Sequence, residues 1–339
     1  MKPVTLEDIA KIAGVSLKTV SRVVNNEKYV SKDTREKVLK LLVKHNYIPN
    51  LAAKSLVSKR TQTLGLIVPN LENPFYSRLL RGVVQTAESN NFGIIISESK
   101  FDIKIGEKYL RTFIERGVDG ILIATLDLDT NIIHTLNRIK KPFVLMTCYV
   151  DNPKVHCVIA DDYKAGRKVV NYIIKFGHRN IAFLKGPNVY SSNERFRAYI
   201  DVMRENNLEI KDYFITEEVL DEISAYNVSF KLLNKHNDIT AIVANNDYVA
   251  IGAMKAINEL GLKIPDDISV IGYDDIEVAS LLRVPLTTIH YPKFRCGKVA
   301  TEILIKIIND EIDVDDYKVE ILKTHFVERQ SCGPVKVFN

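Results

Sequence analysis

Thr5-Leu6-Glu7-Asp8-Ile9-Ala10-Lys11-Ile12-Ala13-Gly14-Val15-Ser16-Leu17-Lys18-Thr19-Val20-Ser21-Arg22-Val23-Val24-Asn25 reads as a helix, a tight turn and a second helix. Thr5 is placed to cap the first helix, with Asp8 as the acidic partner of a capping box. Leu6, Ile9, Ala10 and Ala13 recur at helical spacing and form one apolar face. Gly14 suits the left-handed residue that closes a helix. Ser16 caps the second helix, which turns Val20, Val23 and Val24 inward. A third helix fits Lys32 to His45, with Ser31 as cap and Val38, Leu41 and Leu42 as its stripe. Three short helices with this turn between the first two make a helix-turn-helix unit.

The second helix keeps Leu17, Lys18, Ser21, Arg22 and Asn25 off its apolar stripe. These types suit DNA: Arg pairs with guanine edges, Asn with adenine, and an apolar group meets the thymine methyl. Hydroxyls and helix N-termini suit phosphates. The alternative is a plain solvated face. Charge favours the first reading, because residues 1–60 hold 13 Lys/Arg against 5 Asp/Glu, whereas the remaining residues hold 34 against 37. The basic excess of this chain therefore sits on its head.

After the head the pattern changes. Asn50 to Arg60 is helix-compatible but too short to be stable alone. From Thr63 onward, apolar strands alternate with amphipathic helices. The expected order is strand Leu64–Val68, helix Pro74–Asn91, strand Gly93–Ser97, helix Ile105–Arg116, strand Gly120–Ala124, helix Asn131–Ile139 and strand Pro142–Thr147. It recurs with Val158–Ala160, helix Tyr163–Phe176, strand Ile181–Leu184, helices Glu194–Asn206 and Ala225–Leu233, strand Ala241–Ala244, helix Tyr248–Leu260 and strand Ile268–Ile271. Two such series predict an α/β body of two doubly wound parallel sheets. Ligands bind such folds beyond the carboxyl ends of the strands.

Other chemistries find little support. There is no G-x-G-x-x-G after the first strand, no phosphate-binding G-x-x-x-x-G-K-[ST], no G-x-S-x-G and no H-E-x-x-H. The expectation is a non-enzyme with no catalytic residue, no cofactor and no metal. The four cysteines form no C-x-x-C pair, and no apolar run approaches the roughly 18 residues of a membrane span. A cytoplasmic protein is expected.

The run A-x-x-A-G-V-S-x-x-T-V-S-R-V-x-N from Ala10 to Asn25 resembles the signature of LacI/GalR-family transcription regulators. Val30-Ser31-Lys32-Asp33-Thr34-Arg35-Glu36-Lys37-Val38 and Asn46-Tyr47-Ile48-Pro49-Asn50 are similar to that family too. In the body, Asn73-Pro74-Phe75-Tyr76, Gly117 to Ile121, Gly177 to Ala182, Glu194-Arg195, Pro265 to Asp275 and Pro285 to Ile289 also resemble it, and periplasmic sugar-binding proteins behind it.

The resemblance implies that Leu17, Lys18 and Arg22 read bases, and that Ser16, Thr19, Ser21, Asn25, Tyr29, Ser31 and Thr34 hold the DNA backbone. It implies a hinge helix that wedges Leu56 into the minor groove, beside Asn50, Ala53 and Lys54. Effector contacts would come from Phe75, Tyr76, Thr125, Tyr149, Asp161, Arg195, Tyr226, Asn246 and Asp274. The domains would be 1–48 (head), 49–61 (hinge), 62–160 plus 291–323 (first subdomain) and 161–290 plus 324–339 (second). The helix Lys293–Asn309 would return to the first subdomain. The partners implied are palindromic operator DNA, a sugar or sugar-acid effector and a second copy of the chain. The copies would meet along Tyr76–Asn90 and near Leu281, and Gly333-Pro334 leaves no room for a tetramerising helix. A hexuronate-pathway acid is the first expectation for the effector, with a purine or nucleoside as alternative. A solute-binding protein without a DNA role is the competing function.

Overall fold

The computed structural model describes residues 4–25, 27–47, 60–124, 130–149, 155–313 and 316–336. The chain divides into two compact units, Met1–Thr61 and Gln62–Asn339. The expected hinge contacts Asn50, Ala53, Lys54 and Leu56, and the expected effector contact Thr125, lie outside the described residues.

The first unit holds α1 (Leu6–Ala13), α2 (Leu17–Val24) and α3 (Lys32–Lys44). The Thr5 hydroxyl accepts from the Asp8 N–H at 3.2 Å, and the Asp8 carboxylate accepts from the Thr5 N–H at 2.9 Å, which completes the capping box. Gly14 takes φ +67° and ends α1. Ser16 and Ser31 cap the next two helices through the N–H groups of Thr19 and Thr34. Ile9, Ala10, Ala13, Val20, Val23 and Val38 are buried together, so each helix spends its apolar stripe on the other two. His45 caps α3 and does not extend it.

The second unit follows the alternation read in the sequence. Its first series is β1 (Thr63–Val68), α4 (Pro74–Ser89), β2 (Gly93–Glu98), α5 (Ile103–Glu115), β3 (Gly120–Ile123), α6 (Thr130–Arg138), β4 (Phe143–Met146) and β5 (His156–Ala160). The second is α7 (Asp162–Lys175), β6 (Ile181–Leu184), α8 (Tyr190–Glu205), α9 (Glu222–Lys235), β7 (Ala241–Ala244), α10 (Asp247–Glu259) and β8 (Ser269–Ile271). The chain closes with β9 (Thr288–His290), α11 (Lys293–Ile308), β10 (Val319–Leu322) and β11 (His325–Val327).

One parallel sheet has the order β10-β5-β4-β3-β1-β2, and a second has the order β6-β7-β8. The continuous apolar strands β3, β4, β5, β6 and β7 are buried along their whole length, as sheets covered on both faces require. Strands β9 and β11 pair antiparallel, His290 opposite His325. Helix α11 returns to the first sheet and crosses α4 closely. A Cβ on Gly82 would lie 2.1 Å from the Phe294 carbonyl oxygen, and one on Gly297 would lie 2.2 Å from that of Leu79. The tail then binds the second sheet, where the Val270 N–H donates to the Ser331 carbonyl at 2.8 Å.

Some boundaries differ from expectation. Helix α8 begins at Tyr190, four residues before the expected Glu194, because its cap residue Val189 offers no side-chain acceptor to mark the start. Helix α9 begins at Glu222 because Asp221 and Ser224 form a reciprocal capping box. Strands β9 to β11 carry three or four residues each, too few for a periodic signal.

Candidate functional site

Two regions collect the chemistry. On the head, Ser16, Leu17, Lys18 and Asn25 are exposed, and Thr19, Ser21 and Arg22 are half-buried. They occupy the side of α2 opposite the buried Val20 and Val23. Arg22 lies 3.6 Å from Glu27, a loose pair on the surface. The Asn25 amide donates to the Ser21 hydroxyl at 3.4 Å. Tyr29 is 86% exposed, an unusual position for a large ring with no covering neighbour. Ser16 and Ser31 each spend their side chain on a helix cap, at the N-termini of α2 and α3.

The second region is a small cavity in the body, lined by polar and aromatic side chains. One wall is made by Asn73, Phe75, Tyr76, Phe101 and Thr147, at the ends of the first-sheet strands. Ser192, Arg195, Asn245, Asn246 and Asp274 make the other, and Tyr291 sits just past β9. Asn73 caps α4 by accepting from the Phe75 N–H at 2.9 Å. The Phe75 ring stands edge-on to Tyr76 and Tyr291, with centroids at 5.0 and 5.3 Å. These rings give the cavity an apolar side.

Arg195 is the centre of the polar side. Its Nε donates to Asp162 at 2.9 Å and one terminal nitrogen lies 2.8 Å from the same oxygen. The other terminal nitrogen donates to the Asn245 carbonyl at 2.8 Å. The guanidinium lies 3.5 Å over the Tyr273 ring, and Asp274 stands 3.9 Å away. Burial opposes the Arg195 charge, but Asp162, Tyr273 and Asp274 outweigh it and hold its pKa above the ordinary value. Burial lifts the Asp162 carboxyl, against the pull of Arg195. Burial also pushes Asp274 up to about 7, with Arg195 and Lys293 opposing. The buried Lys293 ammonium donates to the carbonyls of Asp274, Asp275 and Tyr291, and so ties the cavity floor to the segment that leads into α11.

Of the effector contacts read from sequence, Phe75, Tyr76, Arg195, Asn246 and Asp274 meet at this cavity. Tyr149, Asp161 and Tyr226 do not. Tyr149 packs on Tyr190 at 5.2 Å. Asp161 is exposed and caps α7 through the Lys164 N–H at 2.9 Å. Tyr226 faces Phe230 and the Lys255 ammonium. Asp274 has φ +115° and caps no helix.

The sequence reading does not name Asn73, Phe101, Thr147, Ser192, Asn245 and Tyr291 as wall residues, or Asp162 and Tyr273 as supports. The position of Asn245 just after β7 was a usable signal. The pairing of Asp162 with Arg195 across 33 residues was not. Among the described residues no cluster suits a metal ion, and no helix is long and apolar enough to cross a membrane.

Comparisons with known proteins agree with this anatomy. Residues 5–50 match the family model described as bacterial regulatory proteins of the lacI family. Residues 61–327 match the model of periplasmic binding proteins and the sugar-binding domain of the LacI family. The ribose operon repressor of Haemophilus influenzae is 33% identical over 334 residues, 98% of this chain and 99% of that protein. The transcriptional repressor PurR of Vibrio campbellii is 35% identical over 309 residues, 91% of this chain and 92% of its own. The crystal structure of the lac repressor dimer bound to operator and the anti-inducer ONPF superposes with a TM-score of 0.87 at 28% identity, covering 98% of this chain and 100% of that one. A helix-turn-helix head joined to a doubly wound body, matched by both models and by full-length relatives, makes this chain a member of the LacI family of DNA-binding transcriptional regulators.

Proposed function

We propose that the chain is a dimeric, non-enzymatic, cytoplasmic repressor whose grip on an operator is controlled by a small neutral polyhydroxyl effector in the body cavity. The observation that carries the effector class is the state of Arg195. Its charge is already matched by Asp162 at 2.8 Å, and Asp274 stands beside it. A sugar acid would bring a further negative charge beside Asp162 and Asp274, where both nearby cations, Arg195 and Lys293, are already bonded. Sugar hydroxyls both donate and accept, and so suit Asp274, Asn246 and the remaining Arg195 hydrogens, while Phe75 and Tyr76 cover the apolar ring face. The relationship to a ribose operon repressor supports this class. A purine is the second reading, favoured by the aromatic wall and the similarity to PurR.

In this scheme Leu17, Lys18 and Arg22 read bases. Ser16, Thr19, Ser21, Asn25, Tyr29, Ser31 and Thr34 hold phosphates, and Asn50, Ala53, Lys54 and Leu56 act in the minor groove. The effector body comprises 62–160 with 291–323, and 161–290 with 324–339. A second copy meets this one along residues 76–90 and near Leu281, which is 80% accessible. The lac repressor dimer on its operator supports that assembly.

The test is selection of a duplex from a random pool, followed by anisotropy titrations with salt and with D-ribose, D-galactose, D-glucuronate and guanine. A palindrome should emerge, binding should weaken steeply with salt as phosphate contacts release counterions, and a neutral sugar should release it. Absence of any preferred duplex would overturn the operator reading. Release by glucuronate alone would overturn the neutral-effector reading. An effector that weakens operator binding 100-fold requires about 2.7 kcal/mol of coupling, and the operator must weaken effector binding equally.

A further inference from the structure

The turn from β7 into α10 carries two adjacent asparagines with different duties. Asn246 spends its side-chain oxygen on the helix, accepting from the Val249 N–H at 2.9 Å. Asn245 caps nothing. It is 3% exposed, it borders the cavity, and its side-chain oxygen has no hydrogen-bond partner among the described residues. Its main chain is fixed on both sides: its N–H donates to the Leu184 carbonyl at 3.1 Å, and its carbonyl accepts from Arg195 at 2.8 Å.

Gly186 presents bare backbone to that side chain, and a Cβ there would lie 2.1 Å from the Asn245 side-chain nitrogen and 2.9 Å from the Ser192 hydroxyl oxygen. A buried amide oxygen left without a donor destabilises a fold. Buried polar groups are otherwise nearly always paired. Here the fold leaves such a group on a residue that lines the cavity, one side-chain rotation from its space.

We propose that Asn245 is a specificity residue of this cavity, which reads one hydroxyl of the effector through its carboxamide. The proposal rests on the reading of the cavity as the effector site. A carboxamide both donates and accepts without charge, so it matches a hydroxyl, which does the same. The unpaired oxygen receives the hydroxyl hydrogen, and the amide nitrogen can give one back to a neighbouring oxygen. The neighbours Asp274 and Arg195 supply the charged contacts, and Asn245 adds the contact that separates one sugar isomer or deoxy derivative from another. A site built to bond a hydroxyl discriminates strongly against an analogue that lacks it.

The experiment compares the full-length protein with Asn245→Ala and Gly186→Ala, using D-ribose, D-glucose, D-galactose, D-gluconate and guanine as probes. Affinity is read by calorimetry and unliganded stability by thermal melting. For the tightest-binding probe, Asn245→Ala should lose at least tenfold, and Gly186→Ala should lose affinity by displacing the amide. One monodeoxy form of that sugar should bind wild type weakly and lose little more in Asn245→Ala. Unliganded Asn245→Ala should melt at or above the wild-type temperature, because it removes an unmatched buried group. A fall of several degrees would make Asn245 a structural residue and overturn the proposal. So would unchanged affinity, or equal losses for every deoxy form. If gluconate or guanine binds and no sugar does, the neutral-effector reading fails, and Asn245 is judged by its effect on that probe. Should no probe bind, the unliganded melting comparison alone decides.

Discussion

The reading face of the head and the wall of the cavity present opposite solutions to recognition. On α2 the side chains proposed to read DNA are exposed or half-buried and loosely paired at most, as with Arg22 and Glu27 at 3.6 Å. In the cavity the strongest group, Arg195, is buried, stacked on Tyr273 and bonded to Asp162 and the Asn245 carbonyl. A DNA phosphate or base edge brings its own negative potential, so free cations serve it. A buried guanidinium needs a counter-charge whether or not a ligand is bound, and here the protein supplies it. Loss of one head residue should therefore alter binding and leave folding alone. Loss of a cavity partner should alter folding first.

The largest effect is expected from Asp162→Ala. It leaves the buried Arg195 without its carboxylate, and breaking a buried pair costs about 3–5 kcal/mol. Urea unfolding of the body would register it. A loss below about 1 kcal/mol would place this pair with ordinary surface pairs and end the contrast.

Arg22→Ala comes next. It should cost about 1–3 kcal/mol of discrimination between operator and random duplex while the body melts unchanged. Competition titrations that returned the wild-type preference would remove Arg22 from the base-reading set.

The pH response of Asp274 sharpens the same comparison. Burial raises its pKa from an ordinary 3.8 to about 7, so over this interval the folded body keeps a proton that the unfolded chain has lost. Its contribution to stability is full below about pH 4 and is lost as pH rises to about 7. Asp274→Asn should flatten that part of the stability profile. Affinity for a hydroxylated effector should rise through pH 7 as the carboxylate ionises, and a flat affinity from pH 6 to 8 would show that Asp274 accepts nothing from it.

The smallest effect is expected from Thr5→Ala, which removes one side of the α1 capping box for about 1 kcal/mol. Denaturation should record it in the head alone.

The two regions were also unequally legible. The head is encoded locally: caps at Thr5, Ser16 and Ser31, a left-handed Gly14 and three apolar stripes lie within about forty residues, and all of them appear in the structure. Most of the alternating body was readable for the same reason, since short apolar runs mark its buried strands and helical spacing marks its helices, whereas β9 to β11 give no such signal. The cavity was readable through the family resemblance, which named Phe75, Tyr76, Arg195, Asn246 and Asp274 at or soon after strand ends. Nothing in the order of residues reveals that Asp162 neutralises Arg195, or that Gly186 leaves room for Asn245. Asp161 and Tyr226 have suitable chemistry, but a helix cap uses the first and the outer face of α9 carries the second. Side-chain direction over long sequence separations decides such cases, and periodicity is silent about it.

The close crossing of α11 on α4 at Gly82 and Gly297 has a consequence for how the chain is made. Synthesis runs from the N-terminus, yet the six-stranded sheet lacks a covering helix until residue 308 and an edge strand until residue 322. The three-stranded sheet waits longer still, for Ser331 to bond Val270. Only the head, with its short-range contacts, can finish early. A ribosome-held chain ending near residue 290 should therefore carry a protease-resistant head on a body that is still digestible, and protection of the body should arrive only with the last few dozen residues. Resistance of the whole body in that shorter chain would show that the returning helix is dispensable.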